Sequence, residues 1–308
     1  MGQGSLPTPR AAEAGEGDRP TAPFGRRLCE VSRNRESGGY RIFSAVDPAG
    51  PEPAAGQFYM LAAEMGWGSA ETRPYLARAF SVAGAEREPR GVRLDFLVEA
   101  VGPASERLAS LEQGEGLWIT GPLGRPFSPL AELAANAPGA ILVGGGIGIA
   151  PLALWRQRLL ERGAPARVLL GFRDREHSGG LELFDCSEIR LASEDGHRGH
   201  RGYVTDLLAV LLDGDDAATA AVYACGPPAM LEAVRLLCAE RGVACELAME
   251  APMACGFGAC FACAVPLADG GYMRLCLDGP VVRGDDIQTA LVPGSGHQSP
   301  DARRQSPE

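Results

Sequence analysis

The chain contains the stretch Ala140-Ile-Leu-Val-Gly144-Gly-Gly-Ile-Gly148-Ile-Ala-Pro151, in which a short apolar run enters a glycine-rich turn. The run fits a buried strand of a parallel sheet, and the residues from Leu152 to Arg162 beyond the turn fit a helix. Strand, glycine-rich turn and helix together place a diphosphate at a helix N-terminus. The match to the pattern G-x-G-x-x-G is incomplete because the third glycine is replaced by Ile149, and such a loop is often only a tight turn.

Strand-like and helix-like segments continue to alternate after this stretch. The strands are Ala166–Phe172 and Ala220–Cys225, and the helices are Val204–Leu212 and Ala229–Arg241. This alternation predicts a parallel sheet with helices on both faces, whose ligands bind beyond the carboxyl ends of the strands. The loops Gly144–Pro151 and Cys225–Pro228 both follow such ends. Two loops on one edge indicate a nucleotide site more strongly than either loop alone.

A different pattern precedes the sheet. From Phe24 to about Pro122 the chain reads as short strands separated by glycine and proline turns: Tyr40–Val46, Gln57–Leu61, Ala79–Val82, Val92–Val98 and Leu117–Thr120. Strands of this length and spacing predict a small antiparallel β-barrel. One helix is expected over Ser105–Glu112, with Ser105 as its N-cap.

One strand of the expected barrel carries the run Arg78-Ala-Phe80-Ser81. Because successive side chains on a strand alternate between faces, Arg78 and Phe80 would point the same way. A guanidinium suits a pyrophosphate, and an aromatic ring suits stacking on a flat ligand. By itself the run is weak support for a flavin site, since a strand with one arginine and one aromatic residue is usually only a strand.

Four cysteines lie near the C-terminal end. Three of them stand in Cys255-Gly-Phe-Gly-Ala-Cys260-Phe-Ala-Cys263, and Cys276 follows after twelve further residues. The spacing C-x4-C-x2-C…C is the plant-type arrangement that holds a 2Fe–2S cluster by four thiolates. Glycine and alanine between the ligands permit the sharp turns that such a loop needs. A hairpin over Ala264–Arg274 would bring Cys276 back beside the loop.

The nine cysteines admit two interpretations other than a cluster. Structural zinc sites use two separated C-x-x-C pairs, whereas three cysteines here stand together and one stands apart. Disulfides are rare in the cytosol, and residues 1–23 lack the apolar segment of a secretory signal. A zinc-stabilised binding module without redox activity is therefore the alternative of a different class. We expect Cys29, Cys186, Cys238 and Cys245 to be structural or incidental.

Composition excludes several functions. The net charge of −10 and the pI near 5.1 argue against nucleic acid and against an anionic membrane surface as partners. All 29 basic residues are arginine, which excludes a Schiff-base lysine and a Walker-type phosphate lysine. No apolar run reaches the length of about 18 residues that a membrane span needs. The sequence thus predicts a cytoplasmic protein without a membrane segment.

The order of the motifs carries a family resemblance. Arg78-Ala-Phe-Ser81, Gly121-Pro-Leu-Gly124, the loop Gly144–Pro151 and Cys225-Gly-Pro-Pro-Ala-Met230 follow one another as they do in the ferredoxin reductase superfamily. The added segment Glu250–Cys263, with Cys276-Leu-Asp-Gly-Pro280, narrows the resemblance. The chain resembles the electron-transfer subunits of NAD-dependent dihydroorotate dehydrogenase, which serve pyrimidine biosynthesis. This resemblance covers about Phe24 to Ala290.

The resemblance implies a division of labour between two subunits. A separate FMN-containing catalytic subunit would oxidise dihydroorotate, and electrons would pass through the 2Fe–2S cluster and FAD of this chain to NAD. Two copies of each subunit would form a heterotetramer. Carried over by position, the FAD residues are Arg78, Ala79, Phe80, Ser81, Leu97, Val98, Glu99, Ala104 and Ser105; the NAD residues are Gly144, Gly145, Gly146, Gly148, Cys225 and Gly226; and the cluster ligands are Cys255, Cys260, Cys263 and Cys276.

This chain departs from the family pattern at four of these positions. Ala79 stands where the family often has proline, Glu99 where it often has arginine, and Ala104-Ser105 where it has Gly-Thr. A carboxylate at residue 99 would repel a phosphate. The four histidines receive no catalytic role, and the choice between NAD and NADP stays open because Arg173 and Arg175 could contact a 2′-phosphate or only solvent.

The predicted fold is therefore an α+β multidomain protein. It comprises an N-terminal antiparallel FAD-binding β-barrel over residues 24–125, a central α/β parallel-sheet nucleotide-binding domain over residues 126–244 and a small β-rich 2Fe–2S domain over residues 245–292. Residues 1–23 and 293–308 are expected to be disordered. The second functional hypothesis is an NAD(P)H-dependent reductase that serves another redox partner, such as an oxygenase, a hydrogenase or a sulfite reductase.

Overall fold

A computed structural model describes residues 25–68, 74–184, 189–214, 221–292 and 294. The two ends predicted to be disordered, residues 1–23 and 293–308, lie outside the described residues except for residue 294. Cys186 and His297 also lie outside them.

The first half of the described chain forms a closed six-stranded antiparallel barrel with the strand order β1-β2-β5-β4-β3-β6. Its strands are β1 (Arg27–Ser37), β2 (Tyr40–Asp47), β3 (Phe58–Ala63), β4 (Arg78–Glu88), β5 (Gly91–Val98) and β6 (Gly116–Leu123). The predicted barrel is thus confirmed, and the predicted strands correspond to β2 through β6. Strand β1 was not predicted, because Cys29 and Val31 are its only buried apolar residues.

The second half is built on a seven-stranded sheet with the order β10-β9-β8-β7-β11-β12-β15. Its strands are β7 (Ala140–Gly145), β8 (Ala166–Phe172), β9 (Ile189–Ser193), β10 (His200–Arg201), β11 (Ala221–Cys225), β12 (Ala244–Ala248) and β15 (Val281–Arg283). All neighbouring pairs are parallel except β12 and β15. The predicted parallel sheet is confirmed, with one antiparallel edge strand.

Helices cover both faces of this sheet. The described helices are α1 (Pro103–Ala109), α2 (Leu130–Leu133), α3 (Ile149–Glu161), α4 (Val204–Leu212), α5 (Pro228–Glu240) and α6 (Leu275–Asp278). Of these, α3, α4 and α5 pack on the parallel strands, whereas α1 packs on the barrel strands β3 and β5. Alternate residues of β7 face opposite cores: Leu142 packs with α3 and the barrel, and Val143 packs with α4 and α5. Helix α3 therefore lies between the sheet and the barrel and packs against both.

The described helices are short. The longest, α3 and α5, have 13 residues each, which corresponds to about 20 Å at 1.5 Å per residue. No helix in the described ranges combines the length and apolar character needed to cross a lipid bilayer.

The region after β12 contains a small hairpin of β13 (Ala264–Pro266) and β14 (Tyr272–Arg274). Gly270 and Gly271 form its turn with φ of 94° and 88°, a conformation that glycine adopts without steric cost. Cys276 lies beyond the hairpin in α6, and the Leu275 N–H donates to the Cys263 carbonyl over 3.1 Å. The hairpin thus places Cys276 beside the loop of residues 255–263, here called the cysteine loop. The next strand, β15, pairs with β12 and so joins this region to the large sheet.

Glu232 on α5 forms hydrogen bonds that fix the backbone near Ala290, close to the end of the described chain. Its carboxylate accepts hydrogen bonds from Arg235 Nη2 at 2.7 Å and from the Ala290 N–H at 2.7 Å. The Arg235 guanidinium lowers the pKa of Glu232 to about 2, and the Ala290 N–H adds to this effect while burial opposes it. The ionised carboxylate is therefore the form that stabilises the fold.

We expect Glu232→Gln to lower the free energy of unfolding by about 2 kcal/mol at pH 7. The folded-state pKa lies below the unfolded value of 4.5, so this stabilisation is present above pH 4.5 and is lost as the pH falls toward about 2. Urea unfolding at pH 7 and pH 3 measures the effect, with the exposed Glu240→Gln on the same helix as control. An equal difference at both pH values would contradict the assignment.

Candidate functional site

A first cavity of about 400 Å³ lies between the barrel and the sheet. Phe58 of β3 and the residues Val101, Gly102 and Pro103 line it. Eight of the nine predicted FAD residues line it as well: Arg78, Ala79, Phe80, Ser81, Leu97, Glu99, Ala104 and Ser105. Val98 is the exception, because its side chain is fully buried in the barrel core. Leu97 lies on β5 and Glu99 just after it, on the face opposite to Val98, as strand alternation requires.

The helix beside this cavity starts earlier than the sequence analysis predicted. Helix α1 begins at Pro103 with Gly102 as its N-cap, so the assignment of Ser105 as the N-cap was wrong. Ser105 is the third helical residue, and its Oγ accepts hydrogen bonds from the N–H groups of Val101 at 2.9 Å and Gly102 at 3.2 Å. The proline fits the first turn of a helix because it needs no intrahelical N–H bond there. The Ser105 hydroxyl therefore orders the backbone that enters the cavity wall.

The first cavity also has a wall that the sequence analysis did not predict. Met249, Glu250, Ala251 and Met253, between β12 and the first cluster cysteine, line it. No local pattern identifies these residues, because they reach the cavity only through the pairing of β12 with β11 and β15. The cavity is consequently bordered by the barrel, by the sheet and by the segment that leads into the cysteine loop.

A second cavity, of about 520 Å³, opens beyond the carboxyl ends of β7, β8 and β11. Gly145, Gly146 and Gly148 of the glycine loop line it, together with Met230 of α5. Gly146 has φ of 55°, a left-handed conformation that favours glycine. A Cβ on Gly145 would lie 2.5 Å from Met230 Sδ, so a side chain there would collide with the wall of the cavity.

The other predicted nucleotide-binding residues lie around the glycine loop. Gly144 is inside β7 and does not line the second cavity; a Cβ there would lie 3.0 Å from Ile149 and Leu170 atoms. Gly226 lies against the loop, because a Cβ on Gly148 would be 2.5 Å from its Cα. The loops after β7 and β11 therefore touch, as their shared sheet edge predicted.

Charged side chains line the second cavity at the ends of β8 and β9. Arg173 lines it, whereas Arg175 does not. Arg173 Nε donates to Asp174 Oδ2 at 3.1 Å, and His177 Nδ1 lies 2.7 Å from Asp174 Oδ1. Burial opposes ionisation of Asp174, but hydrogen bonds from His177 and Arg173 hold its pKa well below the usual range. His177, for which no catalytic role was expected, lines this cavity.

The two cavities meet at four shared residues: Glu99, Ile147, Gly148 and Glu250. Cys225 lines the first cavity close to this junction. Burial raises the pKa of the Cys225 thiol well above its usual value, and the negative charge of Glu250 adds to this effect. The thiol therefore stays protonated at neutral pH and offers a small, neutral wall. This junction would place a ligand in the second cavity next to a ligand in the first.

The four predicted cluster ligands come together in the structure. Cys263 and Cys276 are buried, with their sulfur atoms 3.3 Å apart. The Cys255 thiol contacts that of Cys260, which is the exposed member of the set. Two pairs of thiols suit a cluster that takes two protein ligands on each of its irons. Within the described ranges, no group of three or more ligating side chains gathers round a single ion position.

Backbone N–H groups surround the first ligand. Burial opposes ionisation of Cys255, but hydrogen bonds from the N–H groups of Cys260, Phe257 and Ala259 lower its pKa to about 6. Gly256 and Gly258 have φ of 79° and 85°, which turns the loop so that its amides face inward. A thiolate stabilised by amides is the donor that an iron–sulfur cluster requires, so the residues present fit the predicted group.

The cysteine loop packs directly on the barrel. A Cβ on Gly256 would lie 2.6 Å from Met60 Cγ, so only glycine lets the loop approach β3 this closely. Met60 is paired in register with Ala79, and Ala79 lines the first cavity. One strand thus separates the cysteine loop from the predicted FAD residues.

Comparisons with known proteins agree with this geometry. Residues 250–288 match the family model described as the iron-sulfur cluster binding domain of dihydroorotate dehydrogenase B, and residues 142–236 match the oxidoreductase NAD-binding domain. Among solved structures, one described as NADH-dependent reduced ferredoxin-NADP oxidoreductase superposes with a TM-score of 0.69 at 24% identity, covering 86% of this chain and 91% of that one. A ferredoxin NADP+ reductase from Neisseria gonorrhoeae gives a TM-score of 0.55 at 18% identity, covering 70% and 92%.

Barrel, nucleotide-type sheet and four-cysteine loop define the chain as an oxidoreductase of the ferredoxin reductase-like fold with an iron–sulfur domain. The dihydroorotate dehydrogenase B (NAD(+)) electron transfer subunit of Caldanaerobacter subterraneus subsp. tengcongensis is 31% identical over 77% of this chain and 88% of its own length. The probable counterpart from Methanopyrus kandleri is 34% identical over 84% and 90%. The chain belongs to the family of electron transfer subunits of dihydroorotate dehydrogenase B (NAD(+)).

Proposed function

We propose that this chain carries electrons from a catalytic partner subunit, which oxidises dihydroorotate, to NAD. The partner holds FMN, and two copies of each subunit form a heterotetramer. This chain holds a 2Fe–2S cluster on its four cysteines, FAD in the first cavity and NAD in the second. The flavin supplies the exchange between single electrons on the cluster side and a two-electron hydride on the NAD side.

One observation carries the proposal: the first cavity borders both neighbouring sites. It shares Glu99, Ile147, Gly148 and Glu250 with the second cavity. On its other side, Met60 lies between the cysteine loop at Gly256 and the lining residue Ala79. A group in the first cavity would therefore stand between the cluster and the nucleotide, in the order that the electron transfer requires.

The residues of this chain would bind and orient the cofactors. Phe80 and Ser81 offer a ring face and a hydroxyl to a flat ligand, and Arg78 offers a guanidinium to its phosphates. Gly145, Gly146 and Gly148 offer backbone N–H groups at the start of α3 to the NAD diphosphate. Glu99 stands at the junction with its side chain 13% exposed and 3.9 Å from His177, where a phosphate is disfavoured. We therefore assign Glu99 to the rim of the FAD site.

The division into domains is part of the proposal. We assign residues 24–125 to the FAD barrel, 126–244 to the NAD domain and 245–292 to the cluster domain. The closed barrel ends at Leu123, and the first cysteine follows β12. The pairing of β15 with β12 supports a cluster domain that stays fixed on the sheet rather than one that swings on a linker.

We propose the exposed side of the cysteine loop as the face that meets the partner subunit. Phe257 and Phe261 in the loop expose 61% and 62% of their surfaces, and Tyr272 at the start of β14 exposes 73%. Large exposed apolar side chains often mark a protein contact. Cys260, an exposed ligand, lies in the same loop, so a docked partner would cover the cluster edge.

The test is reconstitution with the cognate FMN subunit. We expect dihydroorotate to drive NADH formation only when both subunits are present, measured as absorbance at the NADH band under anaerobic conditions. This chain alone should be reduced by NADH but not by dihydroorotate. Absence of electron transfer from the reduced partner to this chain's FAD would contradict the proposal and would favour a reductase for a different redox partner.

A further inference from the structure

Arg274, the last residue of β14, reaches back over the cysteine loop. Its Nη1 donates to the Gly258 carbonyl at 3.0 Å, and its guanidinium carbon lies 5.0 Å from the centre of the Phe261 ring. Gly258 lies between the first and second cysteines, and Phe261 lies between the second and third. The Arg274 side chain thus contacts both segments that separate the first three cysteines.

Phe261 needs such a contact. Its φ of 58° is the one positive value found for a non-glycine residue in the described part of the chain. A left-handed conformation is costly for a residue with a Cβ and persists only where surrounding contacts fix it. The Arg274 cation over the Phe261 ring is an attractive contact of this kind.

The peptide group that Arg274 contacts at Gly258 also contacts a predicted cluster ligand. The Gly258 carbonyl and the Ala259 N–H belong to the same peptide group, and that N–H donates to the Cys255 sulfur. A donor on the oxygen of a peptide polarises its N–H and strengthens the bond that the N–H makes. Hydrogen bonds to the sulfurs are among the factors that set the reduction potential of an iron–sulfur cluster.

We propose that Arg274 is a positioning residue that aims the Gly258–Ala259 peptide at the Cys255 sulfur and thereby raises the reduction potential of the cluster. The proposal rests on the proposed function, because it takes the four cysteines as ligands of a 2Fe–2S cluster. Reduction adds one electron, supplied by the partner subunit, and hence one negative charge. A polarised N–H and a nearby guanidinium both favour the reduced form.

The test compares Arg274→Met and Arg274→Lys in the full chain. Arg283→Met serves as control, because Arg283 is exposed on β15 and its loss makes the same charge change away from the loop. The readout is a potentiometric titration of the cluster followed by its paramagnetic resonance signal. At the wild-type midpoint, we expect the reduced-to-oxidised ratio of Arg274→Met to fall roughly tenfold, a shift of about 59 mV for one electron.

Arg274→Lys should lie between Arg274→Met and the wild type, because lysine keeps the charge but not the planar guanidinium. Arg283→Met should titrate like the wild type, and NADH should reduce the FAD of all variants equally. An unchanged midpoint in a cluster-containing Arg274→Met overturns the proposal. If that variant loses its cluster, a wild-type midpoint in Arg274→Lys overturns it instead. Iron missing from the wild-type protein overturns the proposed function as well.

Discussion

Replacing Cys260 by serine is expected to abolish the 2Fe–2S cluster while FAD and its reduction by NADH are retained. Cys260 is the exposed ligand, so a serine there removes a thiolate donor without disturbing the packed core. Serine differs little in size but stays protonated at neutral pH and is a poor iron ligand. Cys260 is not among the residues that line either cavity, so the sites for FAD and NAD should be unaffected.

The measurements are iron and acid-labile sulfide content, flavin content and the rate of flavin reduction by NADH. We expect iron content close to zero, with flavin content and its reduction by NADH within about twofold of the wild type. Dihydroorotate-driven NADH formation in the reconstituted complex should disappear with the iron. Cys29→Ala, a change in the barrel core, is the control for loss of a cysteine as such.

Simultaneous loss of flavin and iron in Cys260→Ser would contradict the separation of the two sites. Zinc in place of iron in the wild type, with no flavin released on denaturation, would support the zinc-stabilised binding module instead. The structure favours iron because its thiols form two contacting pairs and backbone amides face the Cys255 sulfur.

The residues that the sequence could locate are those whose chemistry depends on spacing along the chain. The three clustered cysteines need a short loop with small residues between them, and consecutive residues of the sequence meet that requirement. The run Arg78–Ser81 was recognisable for a similar reason, since an arginine, an aromatic ring and a hydroxyl stand within four consecutive residues. In the structure, the run Arg78–Ser81 lines the first cavity, and Cys263 and Cys276 lie in contact.

The features of the site that the sequence did not predict depend on packing between segments that are distant along the chain. Met249 and Met253 line the first cavity only because β12 lies beside β11 at the sheet edge. Met60 links the cysteine loop to the barrel across nearly two hundred residues of sequence, and no local pattern records such a contact. Strand β1 was missed because Cys29 and Val31 are its only buried apolar residues, too few to establish an alternating pattern.

The predicted N-cap of helix α1 was also wrong. Ser105 was expected to cap α1 because serine is a frequent N-cap residue. The chain instead begins the helix at Pro103 and uses the serine hydroxyl to hold the two N–H groups that precede it. A proline in the first turn was the stronger signal, since it fits that position and few others in a helix.

Replacing Gly148 by alanine is expected to weaken NAD binding strongly. Gly148 has φ of −63°, which any residue adopts, so alanine introduces no backbone strain there. Its Cβ, however, would lie 2.5 Å from Gly226 Cα and 2.6 Å from Gly226 N. Because both contacts are with backbone, no side-chain rotation relieves them, and the loops after β7 and β11 must separate.

A backbone shift of this kind costs about 1–3 kcal/mol, so the dissociation constant of NADH should rise roughly tenfold to hundredfold. Rapid mixing with NADH measures both quantities, because the concentration dependence of the flavin-reduction rate gives the dissociation constant and its limiting value gives the rate of hydride transfer. Gly214→Ala is the control, because its nearest neighbour, the Leu211 carbonyl, would stand at an ordinary 3.4 Å. Cluster content should stay unchanged in both variants. If Gly148→Ala binds NADH like the wild type, close contact between the two loops is not what shapes the nucleotide site.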